Sequence, residues 1–173
     1  MIEFIPGRYE KQFETITNDN IMIHRHWRYY PHYFHTHTII EIMYMFSGPG
    51  INVTETESTE LCEGDILILP PNVWHLPKID NNSILVNFLV RPAFIEEFIN
   101  SVKSDGIIEH SLRDFFSSEH YSKYIHINCG NDTLIREYAS KLIITSIEPD
   151  KNNVMLEREC YLKLLLLRLI SAY

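Results

Sequence analysis

The stretch from residue 20 to residue 90 cannot be read as helical. Short apolar runs alternate with turn-forming clusters: SGPG at 47–50, EGD at 63–65, PPN at 70–72 and DNNS at 80–83. Each cluster breaks regular structure, glycine through backbone freedom, proline through its missing N–H, Asn and Asp through side-chain bonds to nearby backbone. The runs between them, 21–26, 39–46, 51–55, 59–62, 66–69 and 84–90, have the length of strands. Many short strands with frequent turns predict an all-β sandwich or barrel.

The texture changes after Arg91-Pro92. Proline suits the first turn of a helix, where its missing donor costs nothing. Phe94, Ile95, Phe98, Ile99 and Val102 then recur at helical spacing. Residues 104–122 read as a loop with a short helical piece, and 124–128 (YIHIN) as a lone strand returning to the barrel. Two longer helices follow. Asn131 or Asp132 caps the first, which sets Leu134, Tyr138, Leu142, Ile143 and Ile147 on one side, and Asn152 or Asn153 caps the second. In the second, Leu162, Leu165, Leu166, Leu169 and Ile170 form one stripe, with Leu164 and Leu167 outside it. A helix apolar nearly all round must be covered on more than one side. Packing on the barrel and preceding helix is one reading; pairing with a second copy of the chain is the other, and the two are compatible.

Composition bounds the function. The net charge is −8, and the fifteen Lys and Arg are scattered without a cluster. Neutralising phosphates requires a basic face, so DNA binding by this chain alone is not expected. No apolar run approaches membrane-spanning length, and the opening MIEFIPGRYEKQF lacks a basic segment followed by an apolar one, so the default expectation is a cytoplasmic protein without membrane contact. Cys62, Cys129 and Cys160 are odd in number and far apart, which argues against a disulfide framework and predicts small buried side chains.

The chemistry concentrates in His35-Thr-His37-Thr-Ile-Ile-Glu41, with Gly48 and His75 further on. Imidazoles with a carboxylate suit a divalent transition metal. On a strand Glu41 shares its face with Ile39, Met43 and Met45, whereas Ile40, Ile42, Tyr44 and Phe46 take the other. A carboxylate buried there needs a partner: a metal, a histidine or a polar ligand. A flat strand would hold residues 37 and 41 about 13 Å apart, so the chain must bend between them if both are to meet one ion. His75 follows a Gly-Asp turn, an apolar strand and two prolines, which places it at a strand end or loop mouth. Upstream, HRHWRYYPHYFHTH at 24–37 reads either as a strand with alternating surface histidines and an aromatic lid, or as a pocket entrance with Trp27, Tyr29, Tyr30, Tyr33 and Phe34 available for stacking. His110, His120 and His126 have no motif around them.

Two spacings carry a resemblance. The first is H-x-H, three residues, E, six residues, G, matched by His35, His37, Glu41 and Gly48; Tyr29 stands where an opening glycine is usual. The second is G, five residues, P-x-G, two residues, H, matched by Gly64, Pro70 and His75, with Asn72 in place of the glycine and Ile79 in place of an asparagine. Asn tolerates left-handed backbone better than most residues, which would preserve the turn. These motifs resemble those of the cupins. HTHTIIEIMYMFSGPG followed by LCEGDILILPPNVWH and helices resembles, more narrowly, the N-terminal domain of AraC-type (arabinose-regulator-like) transcription regulators, strongly over about residues 24–90 and by architecture alone over 91–173.

The resemblance implies a mainly β fold with C-terminal helices: a cupin double-stranded β-helix, a jelly-roll-like barrel, over 1–128, with a helical excursion at about 92–122, then a helical dimerisation segment over 129–173. It implies an effector-sensing domain that binds a small molecule, sugars among the candidates, in a pocket of His35, His37, Glu41, Met43 and His75. It further implies a homodimer held through Leu162, Leu165, Leu166 and Leu169. The family's two helix-turn-helix units are not found in this chain, so DNA contact would come through an attached C-terminal domain. The first twenty residues could form an arm over the barrel mouth or a disordered terminus. No residue is expected to be catalytic. Two rivals stand beside this reading. One is a stand-alone metal-dependent cupin enzyme, dioxygenase- or isomerase-like, holding Zn, Fe, Mn or Ni on His35, His37, Glu41 and His75. The other is an effector module that pairs with a separate DNA-binding chain.

Overall fold

The computed structural model describes residues 19–26, 33–79, 82–102, 110, 124–148 and 152–172. Among these, the strands are β1 (Ile21–Arg25), β2 (Ile40–Ser47), β3 (Gly50–Thr54), β4 (Ser58–Leu61), β5 (Ile66–Leu69), β6 (His75–Lys78), β7 (Ile84–Val90) and β8 (Ile125–Ile127). The helices are α1 (Pro92–Ser101), α2 (Thr133–Ile147) and α3 (Val154–Ala172). The strands form a larger antiparallel sheet in the order β1-β7-β2-β5-β8 and a smaller one in the order β4-β3-β6. The chain crosses between the sheets after β2, β4, β5 and β6, a jelly-roll-like arrangement. β8 pairs with β5, Ile66 opposite Ile127, so the return strand expected near 124–128 does close onto the barrel.

The larger sheet is buried on both faces, and its alternation separates two apolar clusters. Ile40, Ile42 and Tyr44 of β2, with Ile66, Ile68, Val86, Phe88 and Val90, face outward and pack against all three helices. Met43 and Met45 face inward with Leu67, Leu69, Leu85, Leu61 and Ile79, filling the barrel. Met43 lies opposite Leu67 on one side and Asn87 on the other, so this register fixes what meets inside.

Pro92 opens α1 as expected, and Phe94, Ile95, Phe98 and Ile99 are its buried face. Asp132 caps α2, its side chain accepting from the backbone N–H groups of Leu134 and Ile135. The expected apolar side of α2 holds at Leu142, which is buried, and at Tyr138 and Ile143, which pack against the core, but is corrected at Leu134 and Ile147, which are exposed; Ile135, Ala139 and Thr145 complete the buried stripe. In α3 the structure places Leu162, Leu165, Leu166 and Leu169 at 0–1% exposure in the core that the helices share with the outer sheet face. That corrects the expectation that these four make the dimer surface, because a side chain filling its own chain's core is not available to a second copy. Leu156, Leu164 and Leu167 are the α3 leucines left exposed. The helical segment and barrel therefore share one core rather than forming separate units. Cys129 is buried, but Cys62 and Cys160 are exposed, against the expectation that all three are buried. The expected loop with a helical piece over 104–122 lies, apart from residue 110, outside the described residues, as do residues 1–18 and the aromatic run 27–32.

Candidate effector and metal site

The bend required between residues 37 and 41 is present. β2 begins only at Ile40, and residues 38 and 39 form a bend, so His37 folds back over the strand that carries Glu41. The 35–37 segment is pinned by the loop preceding β6. The backbones of His35 and His75 exchange both hydrogen bonds at 3.0 Å, and the Asn72 N–H donates to the His37 carbonyl at 2.7 Å. Asn72 has φ 66°, the left-handed conformation for which the motif usually carries glycine.

This framework gathers His35, His37, Glu41 and His75, each offering a ligand atom, with all four atoms within 4.8 Å of one another. All but His35 are buried. Glu41 Oε2 lies 2.8 Å from His75 Nε2 and 3.4 Å from His37 Nε2. The other carboxylate oxygen accepts from the Asn87 side-chain amide. Met43, the fifth predicted pocket residue, is buried inside the barrel next to Asn87 in register. All five predicted pocket residues thus fall on the barrel interior or its rim. Asn87 was not anticipated; its signal is the single polar residue interrupting the apolar run ILVNFLV at 84–90.

The ring nitrogens are oriented. His35 Nδ1 lies 3.0 Å from the Tyr33 carbonyl and His75 Nδ1 lies 3.1 Å from the Val73 carbonyl. Each bond to a carbonyl requires a proton on Nδ1, which turns the Nε2 lone pair of the neutral ring toward the cluster. His75 Nε2 then faces Glu41 Oε2 as one acceptor against another, and neither atom has a hydrogen-bond donor. A cation must lie between them: a second proton on the ring, or a metal ion. Burial, then the neighbouring His75, hold the His35 pKa down to about 3, leaving that imidazole neutral and ligand-competent. Burial alone would raise the Glu41 pKa. The His75 and His37 imidazoles beside it outweigh burial and keep the carboxyl below its ordinary range. Three imidazoles and a carboxylate fit a divalent metal in donor type and proximity, and such a metal would supply Lewis acidity at the barrel mouth.

A separate surface cavity of about 630 Å³ is lined by Phe34, Ile51, Val53, Glu55 and Lys78 among others, and does not include the histidine cluster. Elsewhere, His126 meets the buried carboxylate of Asp65 at 3.0 Å, a structural contact that its sequence context did not signal.

A fold in which a polar cluster sits inside an otherwise apolar jelly roll, with helices on its outer face, has a counterpart among known families. The sequence matches the AraC-like ligand binding domain over residues 21–166. The chain belongs to that family. No curated protein matches it. Among solved structures, apo ToxT K231A from Vibrio cholerae strain SCE256 superposes with a TM-score of 0.61 at 15% identity, over 89% of this chain and 55% of that one. ToxT from Vibrio cholerae O395 gives a TM-score of 0.52 at 12% identity, over 89% and 55%. Unsaturated fatty acid-bound wild-type ToxT from strain SCE256 gives 0.50 at 14% identity, over 87% and 52%. The chain thus spans about half the length of these structures, and at such identities the likeness is one of fold. No helix among the described residues is long and apolar enough to cross a membrane.

Proposed function

We propose that this AraC-like ligand-binding domain senses a small effector in its barrel and relays occupancy to an attached DNA-binding part through its helices. The observation that carries this reading is the division of β2. Glu41, Met43 and Met45 line the barrel, while Ile40, Ile42 and Tyr44 on the same strand pack against the helices. A ligand that shifts the inner row displaces the outer row with it, because close-packed interiors transmit strain. The pocket is His35, His37, Glu41, Met43 and His75, extended by Asn87. A homodimer forms through exposed apolar residues of α2 and α3, among them Ile144, Ile147, Leu156, Leu164 and Leu167. The barrel and helical segment act as one cytoplasmic sensing unit.

The test uses the whole gene product. Its coding sequence is read past codon 173, where two helix-turn-helix units with a basic balance are expected. Binding to the DNA upstream of the gene is then measured for wild type and for Met43→Trp, which fills the barrel. An affinity change of about tenfold, the usual scale of allosteric coupling, supports the reading. Identical binding by the two proteins, or no DNA binding at all, overturns it.

A second reading is favoured by the facing acceptors of His75 and Glu41: a metal-dependent cupin, with Zn, Fe, Mn or Ni on His35, His37, Glu41 and His75, and enzymatic rather than regulatory. Metal analysis of the purified protein decides it, through one equivalent of metal that disappears in Glu41→Ala.

A further inference from the structure

The barrel interior holds a polar group that neither the histidine cluster nor the packing uses. Asn52 on β3 is 0% exposed, and neither its side-chain oxygen nor its side-chain nitrogen has a hydrogen-bond partner. Burying a carboxamide with both halves unpaired forfeits the hydration of each, so its persistence in a core requires a reason. Register shows where it points. Asn52 lies opposite Thr59 and Pro77, and Thr54, two residues along β3, lies opposite His75. Asn52, Thr54 and His75 therefore share the inward face, with Asn52 about 7 Å along the strand from the His75 level. Across the barrel, Asn87 donates to Glu41 but its own Oδ1 is unpaired. Met43, opposite Asn87 in register, and Met45 belong to the inner apolar cluster and are unbranched side chains that repack readily.

The charge of this interior is also informative. The buried polar residues among those described are His37, Glu41, Asn52, Thr54, Asp65, His75, Ser83, Asn87 and Thr145, with no Lys or Arg. Among the described residues an anionic ligand would find no buried Lys or Arg, and the proton or metal between His75 and Glu41 is already balanced by the Glu41 carboxylate.

We propose that Asn52, together with Asn87, recognises a neutral, planar effector that presents an N–H and a carbonyl or ring nitrogen side by side, as a lactam, ureide or nucleobase edge does. A carboxamide holds its donor and acceptor in one plane, and such an edge satisfies both with two parallel hydrogen bonds, as side-chain amides do with adenine. Asn87 Oδ1 takes a further donor from the same ligand. The proposal rests on the effector-sensing reading and narrows its ligand class. It sets this barrel apart from one that takes a fatty acid.

The test compares ring probes of matched size: δ-valerolactam, cyclohexanone, cis-1,2-cyclohexanediol and cyclohexanecarboxylate. Each is titrated into the full chain while the Asn52 side-chain amide resonance is followed by NMR. Valerolactam is expected to move that resonance and to bind at least about tenfold tighter than the others, since a site built to hydrogen-bond rejects analogues lacking the group. Asn52→Leu, which removes the unpaired amide without shortening the side chain, is expected to lose this preference while remaining folded. The inference is overturned if no probe binds, if the ketone, diol or carboxylate binds as well as the lactam, or if Asn52→Leu leaves lactam binding unchanged. Selectivity of the wild-type protein decides the matter if the variant does not fold. The DNA-binding experiment above uses no lactam, so the two readings fail separately.

Discussion

The Asn72 N–H donates to the His37 carbonyl at 2.7 Å while Asn72 itself holds a φ of 66°. The turn after β5 thereby fixes the segment bearing two of the four cluster histidine and carboxylate groups. Asn72→Gly keeps that conformation without strain and is expected to leave stability nearly unchanged. Asn72→Val places a β-branched side chain in left-handed backbone, which costs about 1–2 kcal/mol. Urea unfolding of both variants checks the difference, and equal midpoints would show that the turn relaxes by another route.

Acid sensitivity follows from the cluster. His35 has its pKa lowered from 6.5 to about 3 in the folded chain, so between those values the unfolded chain holds a proton that the folded one does not. Stability therefore falls as pH drops through that window. Glu41 is also depressed, so its contribution is present above its unfolded value of 4.5 and is lost as pH falls through its lower folded value. The two act in the same direction, with His35 responding first on acidification. His35→Leu is expected to flatten the limb below pH 6.5, and Glu41→Gln to alter only the more acidic part. Unfolding free energy measured against pH for the three proteins checks this; an unchanged upper limb in His35→Leu would refute it.

How far the sequence revealed the molecule varied with the range of the interaction involved. The runs at 66–69 and 84–90 coincide with β5 and β7, because alternation and turn residues are local signals. β6 was missed: His75-Leu-Pro-Lys contains Pro77, which lacks a donor and is tolerated because β6 lies at the edge of its sheet. The four cluster residues were legible from motif spacing, and the need for a bend followed from strand geometry. Asn87 and Asn52 were not, because their roles depend on which strands lie opposite which, and no local pattern encodes that register. Leucine-rich α3 was ambiguous for a related reason: a helix apolar all round does not say which side meets its own chain.

The packing of α3 yields a contrast between two sets of leucines. Leu165 and Leu166 sit in the shared core, and replacing either by Ala should destabilise the chain by about 2–5 kcal/mol through lost burial and the residual cavity. Leu164 and Leu167 are 39% and 42% exposed. Changing both to Glu is expected to leave the thermal midpoint nearly unchanged and to shift a dimer toward monomer in sedimentation. If the exposed pair destabilises as strongly as the buried pair, the assignment of faces is wrong.

Gly64 tests the joint between barrel and helices. It has φ 91°, and an added Cβ would collide with the Cα of Gly130, while a Cβ on Gly130 would lie 2.7 Å from the Glu63 carbonyl oxygen. Two backbones thus meet here without room for a side chain. Just beside this contact, the buried Cys129 thiol donates to the Gly64 carbonyl at 3.3 Å, and Asp132 caps α2 and binds Arg168 of α3 at 3.0 Å. Gly64→Ala faces both left-handed strain and a backbone collision that no rotamer change relieves. It should cost more than the roughly 1 kcal/mol typical of losing a helix cap, the effect expected of Asp132→Ala. Denaturant unfolding ranks the two. If Gly64→Ala proves the milder change, the close approach of residues 64 and 130 is not a fixed feature of the fold, and α2 is held to the barrel chiefly by its cap and the Arg168 bridge.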